Sequence, residues 1–266
     1  MTYFLHIAYD GSKYSGWQRQ ERVPSIQERM EIDLSRILGE EVTVNGCGRT
    51  DAGVHASQYF CHIDLYKAPK SDFLFVLNKN LPLEIRVFDV IPMSDKCNAR
   101  FDVVSRSYDY YLHFYEDPFL DSHSSYFNLN DLDIESMKTA VSILTKYQDF
   151  RSLCRRSHLF PDTVCDVSFA KLYVSEDERR MRFSITSNRF LQGMIRIFVH
   201  FLIQIGKGKL TAEAFENMLA NRDEVKVKRL ANPEGLYLSR VIYPYLDLPV
   251  KPSFANMLNH GLHELE

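Results

Sequence analysis

Residues 46–56, GCGRTDAGVHA, place a cation, a carboxylate and an imidazole in one short segment between two strand-like runs. Glycine adopts positive φ without steric cost, so Gly48 and Gly53 permit a tight turn and a close approach to the backbone. Such a turn holds Arg49 beside Asp51 and points both into a cleft, as a catalytic or binding site requires. The alternative is an ordinary Asp-Ala-Gly hairpin turn.

A second polar feature lies on the helix predicted over residues 189–205. The helix is apolar almost all round, and its polar residues step by three or four along one narrow stripe: Arg189, Gln192, Arg196, His200 and Gln204. A mid-helix arginine that faces a cleft needs an anionic partner. A thin edge exposed to solvent explains the same periodicity, so both interpretations stay open.

A third feature is the aromatic strand predicted over residues 106–115. Period-two alternation puts Arg106, Tyr108, Tyr110 and Leu112 on one face. Such faces commonly pack in a core, but the polar head formed by Arg106 and Tyr108 also suits stacking on a nucleic-acid base or binding its edge.

Other chemistries find little support. His55, Cys61 and His62 do not have the spacing of a zinc site, so we predict no metal. The sequence has no Walker A motif, no G-x-G-x-x-G fingerprint and no G-x-S-x-G elbow. A glycosidase would require a second carboxylate to act with Asp51, and no partner is identifiable.

Composition limits the class of protein. The chain has 266 residues, 32 Lys+Arg and 35 Asp+Glu, a net charge of −3 that argues against a bulk electrostatic nucleic-acid binder. Local basic runs remain, at residues 151–156 and 207–209. Five cysteines without a C-x-x-C pair indicate a reduced, cytoplasmic protein. No signal peptide is evident, and the most apolar stretch, 194–205, is too short to span a membrane.

The predicted elements repeat one order. A strand at 2–9 is followed by a helix from the capping box at Ser25 to Gly39, strands at 42–44 and 58–65, a helix at 72–80 and a strand at 85–91. The second pass has a strand at 106–115, a helix capped by Asp133, strands at 164–174 and 181–187, helices at 189–205 and 211–220, and a strand at 236–243.

Two βαββαβ passes predict an α/β protein of the α+β type. It would consist of two RRM-like units with mostly antiparallel sheets, helices on one face, and a catalytic cleft between the units. We place the N-terminal domain at 1–104, the C-terminal domain at 105–245 and a tail at 246–266.

The chain resembles the tRNA pseudouridine synthase I family, that of the bacterial tRNA pseudouridine synthases A. The family's catalytic motif is matched by GRTDAGVHA at 48–56, and its N-terminal signature by YDG at 9–11 with GWQRQ at 16–20. Further matches follow in the family's order: NARF at 98–101, RSYDY at 106–110, DFRS at 149–152, MIR at 194–196 and GLYL at 235–238.

This resemblance implies conversion of uridine to pseudouridine in the anticodon stem-loop of tRNA, at tRNA positions 38–40, by a cytoplasmic homodimer without metal or organic cofactor. Asp51 is the implied nucleophile; it attacks the uracil ring or ribose C1′, and the sequence does not choose between them. Arg196 pairs with Asp51, Arg49 helps to extrude the nucleotide, and Tyr108 packs against the flipped uracil and takes part in proton transfer at C5.

Further residues are expected to bind the tRNA. They comprise Thr50, Arg106, Arg100, Phe101, Lys13, Arg19, Gln20, Arg151, Arg155 and Arg156. Three departures from the family pattern concern tRNA binding: His200 occupies a position where relatives usually have glycine, residues 154–164 lack an arginine-rich segment, and Asn232-Pro233 precedes Gly235 where a small residue and Pro are more usual. The main alternative function is a non-catalytic RNA-binding protein of two RRM-like units, which needs the aromatic and basic residues but not the turn carrying Asp51.

Overall fold

A computed structural model describes residues 1–94, 96–224, 229–251 and 254–264. The chain folds into two compact units, one of Met1–Val104 with Tyr237–Asn256 and one of Ser105–Leu236 with Met257–Glu266. The sequence-based division assigned 105–245 to a second domain and 246–266 to a tail, whereas the structure groups most of the last long strand with the first unit. Residues 252, 253, 265 and 266 of the expected tail lie outside the described residues.

The first part of the chain follows the predicted βαββαβ order. Its elements are β1 (Thr2–Tyr9), α1 (Ile26–Leu38), β2 (Asn45–Gly46), β3 (His55–Asp64), α2 (Phe73–Asn80) and β4 (Ile85–Met93). Helix α1 begins where the Ser25 hydroxyl accepts the Glu28 N–H, and ends at Gly39 with φ of 72°. Its residues Ile26, Met30 and Leu34 are buried at helical spacing.

The second part begins with β5 (Ser105–His113), β6 (Ser125–Tyr126) and α3 (Ile134–Ile143). It continues with β7 (Val167–Ser175), β8 (Arg180–Ser187), α4 (Met194–Gly206) and α5 (Ala212–Ala220). The remaining elements are β9 (Leu236–Ile242), α6 (Phe254–Leu258) and β10 (Leu262–Glu264).

Each unit has its own run of paired strands. In the first unit the order is β9-β3-β1-β4, with β1 antiparallel to both β3 and β4, and β9 parallel to β3. In the second unit the order is β10-β7-β8-β5, antiparallel throughout, with β6 parallel to β5. The predicted α+β class with mostly antiparallel sheets is confirmed.

Two predicted elements are wrong in position. The strand expected at 42–44 is replaced by β2 at Asn45–Gly46, which pairs with β3 through Asn45 and His62. The helix expected from Arg189 begins at Met194, because Gly193 takes φ of 73° and cannot continue a right-handed helix. Arg189 and Gln192 therefore precede α4, and the stripe on this helix reduces to three residues.

Two of the three buried histidines in the strands of the first unit, His6 and His62, have lowered pKa values. His6 in β1 has Nδ1 at 2.8 Å from an Asp89 carboxylate oxygen, and the His62 Nδ1 in β3 accepts the Ala99 N–H at 3.1 Å. Burial lowers the pKa of both imidazoles; nearby carboxylates oppose this effect without overcoming it. Both side chains therefore resist protonation in the folded protein.

We expect acid to destabilise the fold before the carboxylates titrate. Because the folded pKa lies below the ordinary value of 6.5, the unfolded chain binds more protons, and the free energy of unfolding falls as pH drops from about 7 to 5. Urea denaturation across this range measures the slope, which His62→Asn should reduce. The exposed His158→Asn serves as control; equal slopes for wild type and His62→Asn would contradict the assignment.

Candidate active site

The segment between β2 and β3 forms a hydrogen-bonded turn. The Val54 N–H donates to the Asp51 carbonyl at 3.2 Å, and Gly53 has φ of 77°. The turn expected from Asp-Ala-Gly is thus present, but it is not a bare hairpin loop, because it is bonded to residues 14–17. The Gly53 N–H donates to the Tyr14 carbonyl at 3.1 Å, and the Trp17 N–H donates to the Thr50 carbonyl at 3.2 Å.

Two glycines allow this close approach between loops. A Cβ on Gly11 would lie 2.0 Å from the Val54 carbonyl oxygen, and a Cβ on Gly16 would lie 2.3 Å from that of Thr50. Gly16 also has φ of 95°, which L-residues rarely adopt. These two glycines of the N-terminal signature therefore allow its loop to pack directly against the backbone of the turn that carries Asp51.

Buried aromatic side chains are hydrogen-bonded to the segment that carries the turn. Trp17 stacks on Tyr59 with ring centroids 4.2 Å apart, and the Tyr59 hydroxyl donates to the Gly48 carbonyl at 2.6 Å. Burial holds the pKa of Tyr59 well above its usual value, so this hydroxyl remains a neutral donor. The hydroxyls of Tyr9 and Thr50 share a hydrogen bond of 2.9 Å.

His55 has a structural role in the first unit. It is buried at the start of β3, its Nδ1 accepts the Gly11 N–H at 3.1 Å, and its ring stacks on Tyr237 at 4.6 Å. The Asp10 carboxylate lies 3.2 Å from the same nitrogen. The imidazole thus fixes the loop after β1 against the turn.

The turn exposes its charged residues and buries the residue between them. Arg49 and Asp51 are exposed, whereas Thr50 is buried. The Arg49 Nε donates to the Gln18 Oε1 at 3.2 Å. A carboxylate and a guanidinium two residues apart are therefore presented at the surface of the first unit by a tightly bonded backbone.

The other expected tRNA-binding residues of this unit have local partners. Lys13 pairs with Glu84, and Arg19 pairs with Glu31 at 3.1 Å. The Gln20 amide donates to the Ser15 carbonyl at 3.1 Å. Lys13 and Arg19 themselves are exposed, whereas Glu84 is partly exposed and Glu31 is buried.

Two predicted catalytic residues lie in the second unit. Tyr108 in β5 is buried, and its ring meets Phe190 edge-on at 5.0 Å; Arg106 lies two residues before it on the same strand. In α4, every residue is buried except Arg196, His200 and Gln204. The polar stripe predicted from periodicity is therefore present in α4 at its last three residues, Arg196, His200 and Gln204.

Local bonding also orients Arg196. Its Nε donates to the Ala231 carbonyl at 2.7 Å, and the Ala231 N–H donates to the Arg196 carbonyl at 3.2 Å. His200, one turn further along α4, is partly buried, which lowers its pKa. A neutral His200 adds no positive charge to this stripe near neutral pH.

The basic run of the second unit is only partly paired. Arg151 lies 3.9 Å from Glu224, a loose contact between two partly exposed side chains. Arg155 and Arg156 are both exposed, and Arg156 takes φ of 57°. These residues present cations at the surface, as phosphate contacts require.

Comparison with known proteins identifies the family. A family model described as tRNA pseudouridine synthase matches residues 6–102 and 147–244. The chain belongs to the tRNA pseudouridine synthase family. The first matched segment contains the whole turn with Asp51 and both glycines that support it, and the second contains Arg196, which gives these features a family context.

Curated relatives in this family match nearly the full chain. The tRNA pseudouridine synthase A of Porphyromonas gingivalis is 36% identical over 245 residues, 91% of this chain and 97% of the relative. That of Bacteroides thetaiotaomicron is 37% identical over 246 residues, 91% and 90% of the two chains. That of Neisseria gonorrhoeae is 33% identical over 258 residues, 96% of each.

Within residues 1–94, 96–224, 229–251 and 254–264, no three His, Cys, Asp or Glu side chains are grouped as metal ligands would be. In the same part of the chain no helix is long and apolar enough to cross a bilayer.

Sequence reasoning missed two residues of the first unit that contact the site. Gln18 lies within the N-terminal signature but has no predicted role, and Gln27 in α1 is predicted only as part of a capping box. Their amides bond to each other at 2.7 Å, and Gln18 bonds to Arg49. No local pattern reveals a bond between a loop and a helix nine residues apart.

Substitution of Gly11 tests the support of the turn. Gly11→Ala should lower the free energy of unfolding by at least about 2 kcal/mol, because the added Cβ meets a carbonyl oxygen that cannot move alone. Gly39→Ala, with positive φ but open space around it, should cost only about 1 kcal/mol. Thermal and urea unfolding measure both; equal losses would contradict the loop contact.

Proposed function

We propose that this protein isomerises uridine in the anticodon stem-loop of tRNA, with Asp51 as the nucleophile. As a member of its family, the protein is a tRNA pseudouridine synthase, an enzyme that converts uridine to pseudouridine in tRNA. The observation that supports the choice of residue is the turn itself. Asp51 is exposed on a hydrogen-bonded turn whose backbone contacts Gly11 and Gly16 without room for a side chain.

The reaction conserves every atom of the substrate. The bond from uracil N1 to ribose C1′ breaks, a bond from C5 to C1′ forms, C5 loses a proton and N1 gains one. No group or electron pair is passed to a second substrate, so a nucleophile and a proton acceptor suffice and no cofactor is required. Attack by the Asp51 carboxylate on the uracil ring or on C1′ serves the same overall change.

The target nucleotide must leave its stack before the reaction. Extruding a base costs a few kcal/mol, and an aromatic platform returns about 1–3 kcal/mol per stacked base. Arg49 is exposed beside the nucleophile, which suits it to occupy the gap that the base leaves. Tyr108 provides the aromatic surface, and its hydroxyl takes part in removing the C5 proton.

Arg196 serves in this proposal as the cationic partner of the nucleophile. The family resemblance at residues 194–196 suggests this role, and the position in α4 supports it, since Arg196 is one of three residues of that helix that are not buried. A guanidinium held by the Ala231 carbonyl is preorganised, so little side-chain entropy is lost when an anion binds.

Exposed cations provide the affinity for tRNA. Arg151, Arg155 and Arg156 would contact backbone phosphates, together with Arg100, Arg106 and the surface cations Lys13 and Arg19. Phe101 and Gln20 complete the contact surface around the turn, and the buried Thr50 supports that turn through its hydrogen bond with Tyr9. By the family resemblance, two copies form a cytoplasmic homodimer and bind the tRNA together, and tRNA positions 38–40 are the targets.

Asp51→Asn tests the nucleophile directly. The amide has the shape of the carboxylate but cannot act as an anionic nucleophile, so pseudouridine formation on unmodified tRNA should fall at least about 1000-fold, or about 4 kcal/mol in activation free energy. Affinity for tRNA should change less than about threefold. The matched control is Asp72→Asn, an exposed aspartate whose side chain does not cap α2, and it should retain activity.

The outcomes separate the competing functions. Pseudouridine mapped at the anticodon stem-loop by wild type and lost in Asp51→Asn supports the proposal. Activity that persists in Asp51→Asn refutes the role of this residue. Binding of tRNA by a wild type that forms no pseudouridine would instead favour the non-catalytic RNA-binding protein.

Salt dependence tests the phosphate contacts. The logarithm of tRNA affinity should fall steeply with the logarithm of salt concentration, and the double variant Arg155→Ala/Arg156→Ala should lessen the slope by roughly 1–2. Arg240→Ala, a cation already paired with Asp247 at 3.0 Å, is the control and should leave the slope unchanged. A wild-type affinity for tRNA that does not change with salt concentration would contradict the assignment of these residues to phosphate contacts.

A further inference from the structure

The first unit contains an open cleft of about 380 Å³ beside Arg49. Trp17 and Gly46 are among its lining residues, and the described residues that line it do not include Asp51 or any other carboxylate. Its volume falls in the range of small-molecule sites. The cleft is therefore a neighbour of the turn that carries the nucleophile, and its lining suits an anionic or neutral ligand.

One wall of the cleft consists of fixed amides. The Gln27 Oε1 accepts the Gln18 amide at 2.7 Å and the Arg19 N–H at 2.9 Å, while its Nε2 donates to the Val44 carbonyl at 2.9 Å and to Glu31 at 3.2 Å. These four bonds determine which way the Gln27 amide points. Gln27 in turn orients the amide of Gln18.

The oriented Gln18 acts on Arg49. With its Nε2 donating to Gln27, Gln18 directs its Oε1 at the Arg49 Nε. This bond uses Nε, and the two Nη groups of the guanidinium take no part in it. Nη groups in a fork are the donors that bind a phosphate. The hydrogen bonds that link Gln27 to Gln18 and Gln18 to Arg49 form an amide relay. This relay presents the Arg49 guanidinium at the edge of the cleft in a defined orientation.

Asn98, Arg100 and Phe101, in a hydrogen-bonded loop at residues 98–102, also line the cleft. The Asn98 Oδ1 accepts the N–H groups of Arg100 at 2.9 Å and Phe101 at 3.2 Å. The Ala99 carbonyl accepts the Tyr243 hydroxyl at 2.7 Å, and the Ala99 N–H donates to His62. The backbone of this loop is therefore held both by the Asn98 side chain and by Tyr243 and His62.

This rigid loop exposes a large aromatic side chain. Phe101 is 78% exposed, and the Arg100 guanidinium lies 5.7 Å from its ring centroid. A buried phenylalanine would contribute about 1.5–3 kcal/mol to stability, so the fold gives up that gain here. An exposed ring on a fixed backbone is the arrangement of a stacking platform.

We propose that this cleft binds one unpaired nucleotide of the tRNA other than the target uridine. The base stacks on Phe101, its edge meets the amides of Gln18 and Asn45, and its phosphate is bound by Arg49 and Arg100. The amides offer both donors and acceptors, which a base edge requires and a simple anion does not. The proposal rests on tRNA being the substrate, and it makes Arg49 a link between the two nucleotides.

The single tryptophan of the chain reports on this site. Trp17 lines the cleft, so a single-stranded trinucleotide added to the full-length protein should change its fluorescence in a saturable manner. Phe101→Ala should raise the half-saturating concentration about tenfold, in line with the loss of one stacked base. The matched control is Phe75→Ala, also in the first unit and 65% exposed, which should behave as wild type.

Pseudouridine formation at increasing tRNA concentration gives a second measurement. Phe101→Ala should raise the half-saturating tRNA concentration about tenfold with a maximal rate within twofold of wild type, and Phe101→Tyr should restore wild-type behaviour. A purely structural role would lower the maximal rate and the melting temperature instead, and the tyrosine variant distinguishes the two if the alanine variant fails to fold.

The results that overturn the proposal are separate from those that overturn the reaction. Unchanged trinucleotide binding in both Phe101→Ala and Gln18→Ala refutes the nucleotide site, and so does an equal fluorescence change with inorganic phosphate alone, which would indicate an anion site. Trinucleotide binding that depends on Phe101 supports the site even in Asp51→Asn, or in a wild type that forms no pseudouridine.

Discussion

The close contact between two backbone segments, residues 11–16 and 50–54, is the constraint on which the site depends. Neither Gly11 nor Gly16 has room for a Cβ, and the hydrogen bonds across the contact fix both sides of the turn. Asp51 can therefore be exposed without being mobile in its backbone. A side chain on a backbone held this way loses little entropy when a substrate binds, and such positioning is a large part of what an enzyme contributes to rate.

Local chemistry made much of the fold predictable. The capping box at Ser25 and the glycine at 39 bound α1 as expected, and β8 alternates between buried and less buried residues along its length. The predicted start of α4 is wrong by five residues. Gly193 does not interrupt the apolar pattern in the sequence, but its positive φ prevents a right-handed helix from passing through it. The conformation of a glycine is not determined by its neighbours in sequence.

Pairings between residues far apart in the chain could not be predicted from the sequence. The parallel pairing of β9 with β3, through Tyr237 and His55, joins residues about 180 positions apart, and no local signal specifies it. The amide relay from Gln27 to Arg49 is equally invisible, because it depends on side-chain rotamers set by tertiary packing. Motif recognition predicted Asp51 and its neighbours as a candidate site, and the structure shows which hydrogen bonds hold that turn.

The positive charges of the first and second units differ in their local surroundings. Lys13, Arg19, Arg155 and Arg156 are all exposed, and Lys13 and Arg19 pair with carboxylates of the first unit. In a chain with a net charge of −3, these side chains provide local positive charge at the surface.

The central claim is that the protein itself moves the glycosidic bond of a tRNA uridine from N1 to C5. The most direct measurement is release of tritium from unmodified tRNA labelled at uridine C5, with purified protein, buffer and a chelator only. We predict release equal to the pseudouridine formed and confined to tRNA uridines of the anticodon stem-loop. Absence of release, or release from uridines elsewhere in the tRNA, would contradict the account.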